Sequence, residues 1–304
     1  MAGRAALNRV PVSVLVPVRN EEKNLPECLR HLQWASEVFV VDSASTDATA
    51  RIAEAAGARV VQFSWNGSWP KKKNWALANL PFANDWVLIV DADEWITDEL
   101  AREVGAVVQD PGGRIGFFVN RRLIFMGRWI RHCGYYPSWN LRLVRRGHAA
   151  YERVSDREPE QTGDNEVHEH LLADGPVAHL KSDMLHFAYP TISSFVEKHN
   201  RYSTWEAHVE LHGRGSALRP RLMGSALERR RFWRQVSRRL PFRPWLRFLY
   251  GYVFRLGFLD GRPGLVLCRL LAFYEFLSAA KAEELRRGPG GTAADVQCVA
   301  GKVT

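Results

Sequence analysis

The sequence predicts an α/β fold, a mixed sheet flanked by helices, and three observations predict it. Apolar runs of strand length recur through the N-terminal third: Val12 to Val18, Val38 to Val41, Arg59 to Phe63 and Trp86 to Val90. Stretches of helical length separate them. Polar and acidic residues gather just after the runs, at the edge where open α/β sheets bind their ligands. Strand–helix repeats of this length imply right-handed crossovers and a parallel sheet.

The elements follow in order. After the first strand a helix is expected over Glu22 to Trp34, with Asn20 as N-cap. The second strand ends at Asp42, and Ser45 or Thr46 then caps a helix that stops at Gly57, a residue suited to a helix C-terminus. Lys72 to Leu80 is helical, and the fourth strand is apolar throughout, as a strand buried on both faces is. From Ile115 to Lys181 the pattern changes. Ile115 to Val119, Leu141 to Val144 and Val177 to Leu180 alternate with glycine, proline and charge, which suggests antiparallel strands added to the sheet. Thr191 to Leu211 is helical again, and Gly213 to Gly215 mark a break.

With 304 residues, 46% of them hydrophobic, the chain can fill one large domain and an appendage. The expected division is a sheet domain over 1–215, a basic and aromatic helical region over 216–287 and a flexible tail over 288–304. The net charge of +9 calls for anionic partners. Cys28, Cys133, Cys268 and Cys298 are far apart and form no zinc or disulfide pattern, which points to a reducing compartment. Met1 to Val10 lacks the apolar core of a signal peptide, and without an uninterrupted apolar run of about 20 residues no spanning helix is expected.

Arg219 to Arg255 holds eleven Arg and one acid, Glu228, interleaved with Phe232, Trp233, Phe242, Trp245, Phe248, Tyr250, Tyr252 and Phe254. Amphipathic helices of this composition lie in the headgroup region of a bilayer, so an anionic membrane surface is the expected partner. Basic and stacking residues also suit single-stranded nucleic acid, but none is expected here. Plain surface with snorkelling arginines is the third reading.

The most informative stretch is Asp91-Ala92-Asp93-Glu94, directly after the fourth strand. Carboxylates packed at a strand end raise one another's pKa unless a cation compensates them. Asp-x-Asp on an extended backbone turns two of them to one side, toward one hard cation. The bland reading is a turn before a helix capped by Thr97, with Asp98 and Glu99 in its first turn. Other strand ends converge on the same edge. The first brings Pro17, Arg19, Asn20 and Glu22, the second Asp42 and Ser43, and Lys72, Lys73 and Asn74 lie between them and the acids. A strand-end acid can accept a base N–H or ribose hydroxyls. Lysines can approach a diphosphate, and Asp91 and Asp93, with Ala92 between them, can hold the Mn²⁺ or Mg²⁺ that bridges its oxygens. Together they describe a nucleoside diphosphate site, with neither the phosphate-loop nor the dinucleotide glycine pattern.

Each of these residues also has an ordinary reading. Lys71 to Lys73 suits a wet helix face as well as a ligand. His168 and His170, with His179 or His186, would make a zinc set, but without H-E-x-x-H ordinary hydrogen bonding is expected. Trp129, Tyr135, Tyr136 and Trp139 are candidates for stacking on a sugar or base, and Arg142 and Arg145 for meeting acceptor phosphates.

Val14 to Glu22, Val41 to Asp47 and Val90 to Glu94, in that order and spacing, resemble the family 2 glycosyltransferases with the GT-A fold. Downstream, Tyr136 to Leu143, Val167-His168-Glu169 and His186-Phe187-Ala188-Tyr189 resemble the branch that includes lipopolysaccharide-core β-glucosyltransferases of the WaaE type. The resemblance implies an inverting, metal-dependent transfer of a hexose, glucose from UDP-glucose, to a lipid-linked saccharide, by a cytoplasmic protein peripheral on the inner membrane face. It implies that Asp42 holds the nucleoside and Asp93 the metal, with Asp91 assisting, and that a carboxylate further on is the base. Many members carry that base in a Glu-Asp pair. This chain has His168-Glu169-His170, so the role falls on Glu169, with Glu166 behind it, and Glu169→Gln is expected to abolish transfer with the fold intact. Transfer to a peptide side chain would share the donor site. A nucleotidyltransferase would show a glycine-rich loop after the first strand, and Pro17 to Glu22 contains no glycine. A basic membrane-surface or nucleic-acid-binding protein would show no turnover.

Overall fold

The computed structural model describes residues 9–153, 169–212, 221, 223, 228, 229, 232, 233, 236, 240 and 242–287. They fall into two units, one within 1–152 and 163–190, the other within 153–162 and 191–304.

The first unit opens with β1 (Val10–Val18), α1 (Leu25–Arg30), β2 (Ala35–Asp42), α2 (Thr49–Ala55), β3 (Arg59–Gln62), α3 (Lys72–Asn79) and β4 (Trp86–Ile89). It continues through β5 (Glu94–Ile96), α4 (Asp98–Gln109), β6 (Gly116–Phe125), β7 (Arg128–Trp129), β8 (Trp139–Arg145), β9 (Ala149–Tyr151), β10 (Leu171–Ala173) and β11 (Val177–His186). The main sheet runs β3-β2-β1-β4-β8-β6-β11-β5, β7 pairs with β6, and β9 pairs with β10 apart from it. β1 to β4 are mutually parallel where they meet, while β8 is antiparallel to both β4 and β6. β6 and β11 are parallel, contrary to the antiparallel expectation for this region, because β7 to β10 carry the chain back between them.

Alternation along the strands fills a core on each face. Val12, Val14 and Val16 join Leu88, Val90, Leu100, Val104, Val119 and Leu143 on one side. Leu15 joins Phe39, Val41, Ile89, Leu141 and Val144 on the other. Thr97 does cap α4, its hydroxyl accepting Leu100 N at 3.2 Å, so the bland reading of that stretch holds alongside any other. Two helix starts lie later than expected. Helix α1 begins at Leu25 because residues 19–24 form a loop in which Asn20 has φ +56°, and α2 begins at Thr49 rather than after Ser45 or Thr46.

The second unit contains α5 (Ile192–His212), α6 (Arg243–Leu249), a wide turn of π type (Tyr250–Phe254), a short 3₁₀ turn (Gly257–Asp260) and α7 (Gly261–Arg287). Ion pairs Arg243–Glu275 (3.1 Å) and Arg286–Glu210 (2.7 Å) tie its helices together. His199 stacks on Phe195 at 3.7 Å and meets Tyr274 edge-on at 4.8 Å. A Cβ at Gly264 would lie 2.2 Å from Gly257 O, so this turn closes only with glycine there. Among the described residues one segment, 257–287, is long and apolar enough, by length and composition, to cross a membrane. The Arg-rich stretch between 213 and 241 and the tail from 288 lie almost wholly outside the described residues.

Candidate active site

Strand order reverses at β1, with β2 on one side and β4 on the other, and ligands bind at such a point, outside the C-terminal strand ends. Two loops leave β1 and β2 there and are stitched together. Asn20 N donates to Ser45 Oγ (2.8 Å), and Asn20 Oδ1 accepts Thr46 N (2.8 Å). Glu21 N donates to Thr49 Oγ1 (2.8 Å), and Glu22 Oε2 accepts Ala48 N (3.1 Å). Asn20 and Glu22, expected to meet substrate, thus hold one loop to the other. Asp42 is buried and accepts Ser45 N (3.2 Å), the Ser45 hydroxyl and Gln62 Nε2 (3.0 Å). Ser43 N is spent on Val18 O at 3.1 Å. Pro17 is buried in β1, and Arg19 is exposed at its end.

The acidic stretch is a turn rather than an extended strand, and its three carboxylates diverge. Asp91 meets Lys73 Nζ at 3.0 Å and Arg142 Nη2 at 2.7 Å. Glu94, fully buried, accepts Arg142 Nη2 at 2.6 Å and Arg121 Nη1 at 3.4 Å. Asp93 Oδ1 faces His186 Nε2 at 3.6 Å. Ala92 is buried between them. The expectation that only a bound cation could reconcile these acids is therefore corrected: Lys73, Arg121 and Arg142 compensate them from within. Burial alone would raise the Asp91 carboxyl, but the Arg142 and Lys73 charges overcome it and hold the group well below the usual carboxylate range. Burial would likewise lower the Arg142 guanidinium, and Asp91 and Glu94 raise it instead. Behind the turn, Cys28 Sγ lies 3.8 Å from Asp91 O. Burial, reinforced by Glu94, Asp93 and Asp91, pushes that thiol well up and leaves it inert.

Lys71 to Asn74 is not a wet helix face. All four side chains are buried, and each reaches a different element. Lys71 Nζ meets Glu169 Oε1 at 2.7 Å, Lys72 Nζ donates to Val18 O at 2.8 Å, and Lys73 holds Asp91. Asn74 bonds Tyr151 in both directions, Nδ2 to O at 2.9 Å and Oδ1 from N at 2.7 Å. Helix α3 thereby fixes the end of β1, the acidic turn and β9 against one another.

Other expected residues lie elsewhere. Glu169, its side chain 1% exposed, is paired with Lys71 at 2.7 Å. Glu166 and His168 lie outside the described residues. His170 bonds Glu152 (3.0 Å) and His179 stacks on Phe118 (4.8 Å), both ordinary contacts. Among the described residues no three His, Cys, Asp or Glu converge on a metal position. Trp139 is half-exposed and packs edge-on against His179 at 4.7 Å.

A cation bound with a substrate diphosphate needs fewer protein ligands, one or two with the phosphate oxygens supplying the rest. Asp93 Oδ1 and His186 Nε2, 3.6 Å apart, fit two donors each about 2.0–2.2 Å from one ion. Sequence reasoning missed Arg121 and this use of His186. A signal for Arg121 existed: its parity in β6 places it with Val119 and Leu123 on a core face, where a charge needs a partner.

Residues 13–152 match the model of glycosyl transferase family 2. The chain is 30% identical over 285 residues to a lipopolysaccharide core biosynthesis glycosyltransferase, LpsC, of Rhizobium meliloti, spanning 90% of this chain and 92% of that one. It is 27% identical to an uncharacterized glycosyltransferase of Rickettsia typhi, covering 90% and 87%. Glucosyl-3-phosphoglycerate synthase of Mycobacterium tuberculosis is a solved structure at 25% identity, covering 38% of this chain and 45% of that one, and its TM-score of 0.30 is too low to transfer any detail. The mixed sheet with flanking helices is the GT-A arrangement that the motifs led one to expect. The chain belongs to the family 2 glycosyltransferases.

Proposed function

We propose that this glycosyltransferase moves a hexose, glucose from UDP-glucose, onto a membrane-linked saccharide such as the lipopolysaccharide inner core, with inversion and with Mn²⁺ or Mg²⁺. One observation carries the reading: Asp93 and His186 offer two donor atoms at the sheet edge, beside acids already neutralised by the protein's own cations. Similarity to LpsC along nearly the whole chain supports the class of acceptor. The cation, when bound, neutralises the departing diphosphate. Asp93 and His186 would hold it. Lys73 and Arg142 keep Asp91 ionised and in place, and Arg121 and Arg142 do the same for Glu94. Lys71 and Glu169 position α3, and we assign Glu169 this holding role in place of the base.

The membrane part of the proposal falls on 216–287. Phe242, Trp245, Leu246, Leu249, Tyr250, Val253, Phe254, Phe258 and Leu259 are exposed there, and Arg247, Arg255 and Arg262 stand among them. An apolar surface dotted with arginines suits the inner membrane face, with the rest of the chain in the cytoplasm. Calorimetry of UDP binding with and without Mn²⁺ tests the donor site. Wild type should bind UDP more tightly with the metal and Asp93→Asn should lose that gain; equal UDP affinity with and without metal in wild type would remove the cation from the reading.

A further inference from the structure

The acidic turn is closed by its own last residue. Glu94 N donates to Asp91 O at 2.9 Å, and Asp91 N donates back to Glu94 Oε2 at 2.9 Å. The other carboxylate oxygen, Oε1, accepts Arg142 Nη2 at 2.6 Å and Arg121 Nη1 at 3.4 Å. The same Arg142 nitrogen donates to Asp91 Oδ2 at 2.7 Å. Asp91 is therefore tied to Glu94 twice directly and once through a guanidinium. Glu94 is fully buried. A carboxylate out of water needs hydrogen bonds and opposite charge in place of its hydration, and here they come from the turn, β6 and β8. Arg142 arrives through a break in the sheet. Phe117 pairs with Leu143 and Phe118 with Leu141, which makes Arg142 the extra residue of a β-bulge, a feature that re-aims the side chain it carries.

On the other side of Glu94, β5 pairs with β11 and sets His186 opposite Glu94. Phe187 N donates to Asp93 O at 2.8 Å. The main chain thus locks the residue before Glu94 to the residue after His186. With both backbones fixed, Asp93 Oδ1 and His186 Nε2 stand 3.6 Å apart. Two donors that each lie about 2.0–2.2 Å from one ion are at most about 4.4 Å apart. An opening of about 1 Å would therefore take one of them off the ion. A turn loosened by that amount still folds, but it no longer offers both atoms together.

We propose that Glu94 is a positioning residue for the cation: buried out of a ligand's reach, it braces the acidic turn so that Asp93 keeps its distance from His186. The role rests on the reading of Asp93 and His186 as the pair that holds the cation. Glutamine cannot fill it. Asp91 N and Arg142 Nη2 approach two different oxygens of Glu94, and an amide would turn its NH₂ group toward one of these donors.

The test titrates the full-length protein with UDP by calorimetry, with and without Mn²⁺, and follows unfolding in denaturant. Wild type is compared with Glu94→Gln and with Val104→Ala. Val104 is buried in α4, so its truncation lowers stability without touching the turn. Glu94→Gln should bind UDP without metal as wild type does, and its Mn²⁺-linked gain in UDP affinity should fall about 10–100-fold, the scale of losing a group that orients a metal ligand. Val104→Ala should keep the gain. Should Glu94→Gln fail to fold, Arg121→Gln decides: it removes only the longer contact to Glu94, and it should reduce the same gain and leave metal-free UDP binding unchanged. A folded Glu94→Gln with the wild-type gain would overturn the role, and so would an equal loss in Val104→Ala, which would trace the effect to stability alone. Failure of the cation reading looks different: wild type itself would gain nothing from Mn²⁺, and the role of Glu94 would fall with it.

Discussion

Two basic stretches of this chain, Lys71 to Lys73 and Arg219 to Arg255, end in different surroundings. Lys71 to Lys73 is buried, and every ammonium meets a carboxylate or a carbonyl in the first unit. In the second unit Arg243 finds Glu275 and Arg286 finds Glu210, while Phe242, Trp245 and Phe254, beside Arg247 and Arg255, stay exposed. The difference lies in the partners. A lysine is buried only where acids and carbonyls from elsewhere in the fold neutralise it. Where acids are scarce the cations remain at the surface and the aromatic residues remain with them, and such a surface suits a bilayer better than water.

The comparison breaks most sharply at Lys71. Lys71→Met takes its cation from the buried Glu169 carboxylate and should cost about 3–5 kcal/mol, read as a lower denaturant midpoint. The double variant Lys71→Met with Glu169→Leu removes both charges and should recover most of that stability and measurable transfer. A double variant that is stable but inactive would return Glu169 to the role of base. For the same reason Glu169→Gln should now lose stability as well as activity, contrary to the expectation from sequence.

Asp93→Ala comes next. It removes one of the two donors at the sheet edge while Asp91 and Glu94 keep their arginine and lysine partners. Transfer should fall by about 10²–10³ in kcat, the scale of losing one electrostatic stabiliser of a leaving group. The unfolding midpoint should stay within the range of an ordinary surface change. A large loss of stability instead would mean that Asp93 belongs to the same internal network as Asp91.

What the sequence made legible, and what it hid, follows the same division. The strands were readable because a strand buried on both faces is apolar throughout, as Trp86 to Ile89 is. The helix starts were not, because Asn20, Ser45 and Thr46 spend their hydrogen bonds across to the neighbouring loop instead of on their own helices. The roles of Lys71, Lys72 and Asn74 were hidden because their partners lie 98, 54 and 77 residues away in sequence. The acids of the turn were found, but their compensation was assigned to a metal because Arg121 and Arg142 enter from strands β6 and β8.

In the second unit, Phe254 is 75% exposed, so removing it should leave folding nearly unchanged and act on membrane binding alone. Phe254→Ser should weaken partitioning into phosphatidylglycerol-containing vesicles by about 1.5–3 kcal/mol, the value of burying one such side chain. Sedimentation with the vesicles measures it. Unchanged partitioning would place this face away from the bilayer.

The smallest effect separates the two basic stretches by salt. Arg255 is exposed between Phe254 and Leu256, and a basic residue near an anionic surface contributes about 1 kcal/mol at physiological ionic strength. Arg255→Gln should therefore weaken binding to the same vesicles by roughly that amount, and the difference from wild type should vanish at about 1 M salt, where the screening length is near 3 Å. The Lys71–Glu169 pair is shielded from solvent ions, so the gap in unfolding midpoint between wild type and Lys71→Met should persist at the same salt. If salt closed the Lys71 gap and left the Arg255 gap standing, the assignment of buried and surface charge would be reversed, and with it the reason one basic run organises the sheet edge while the other stays at the surface.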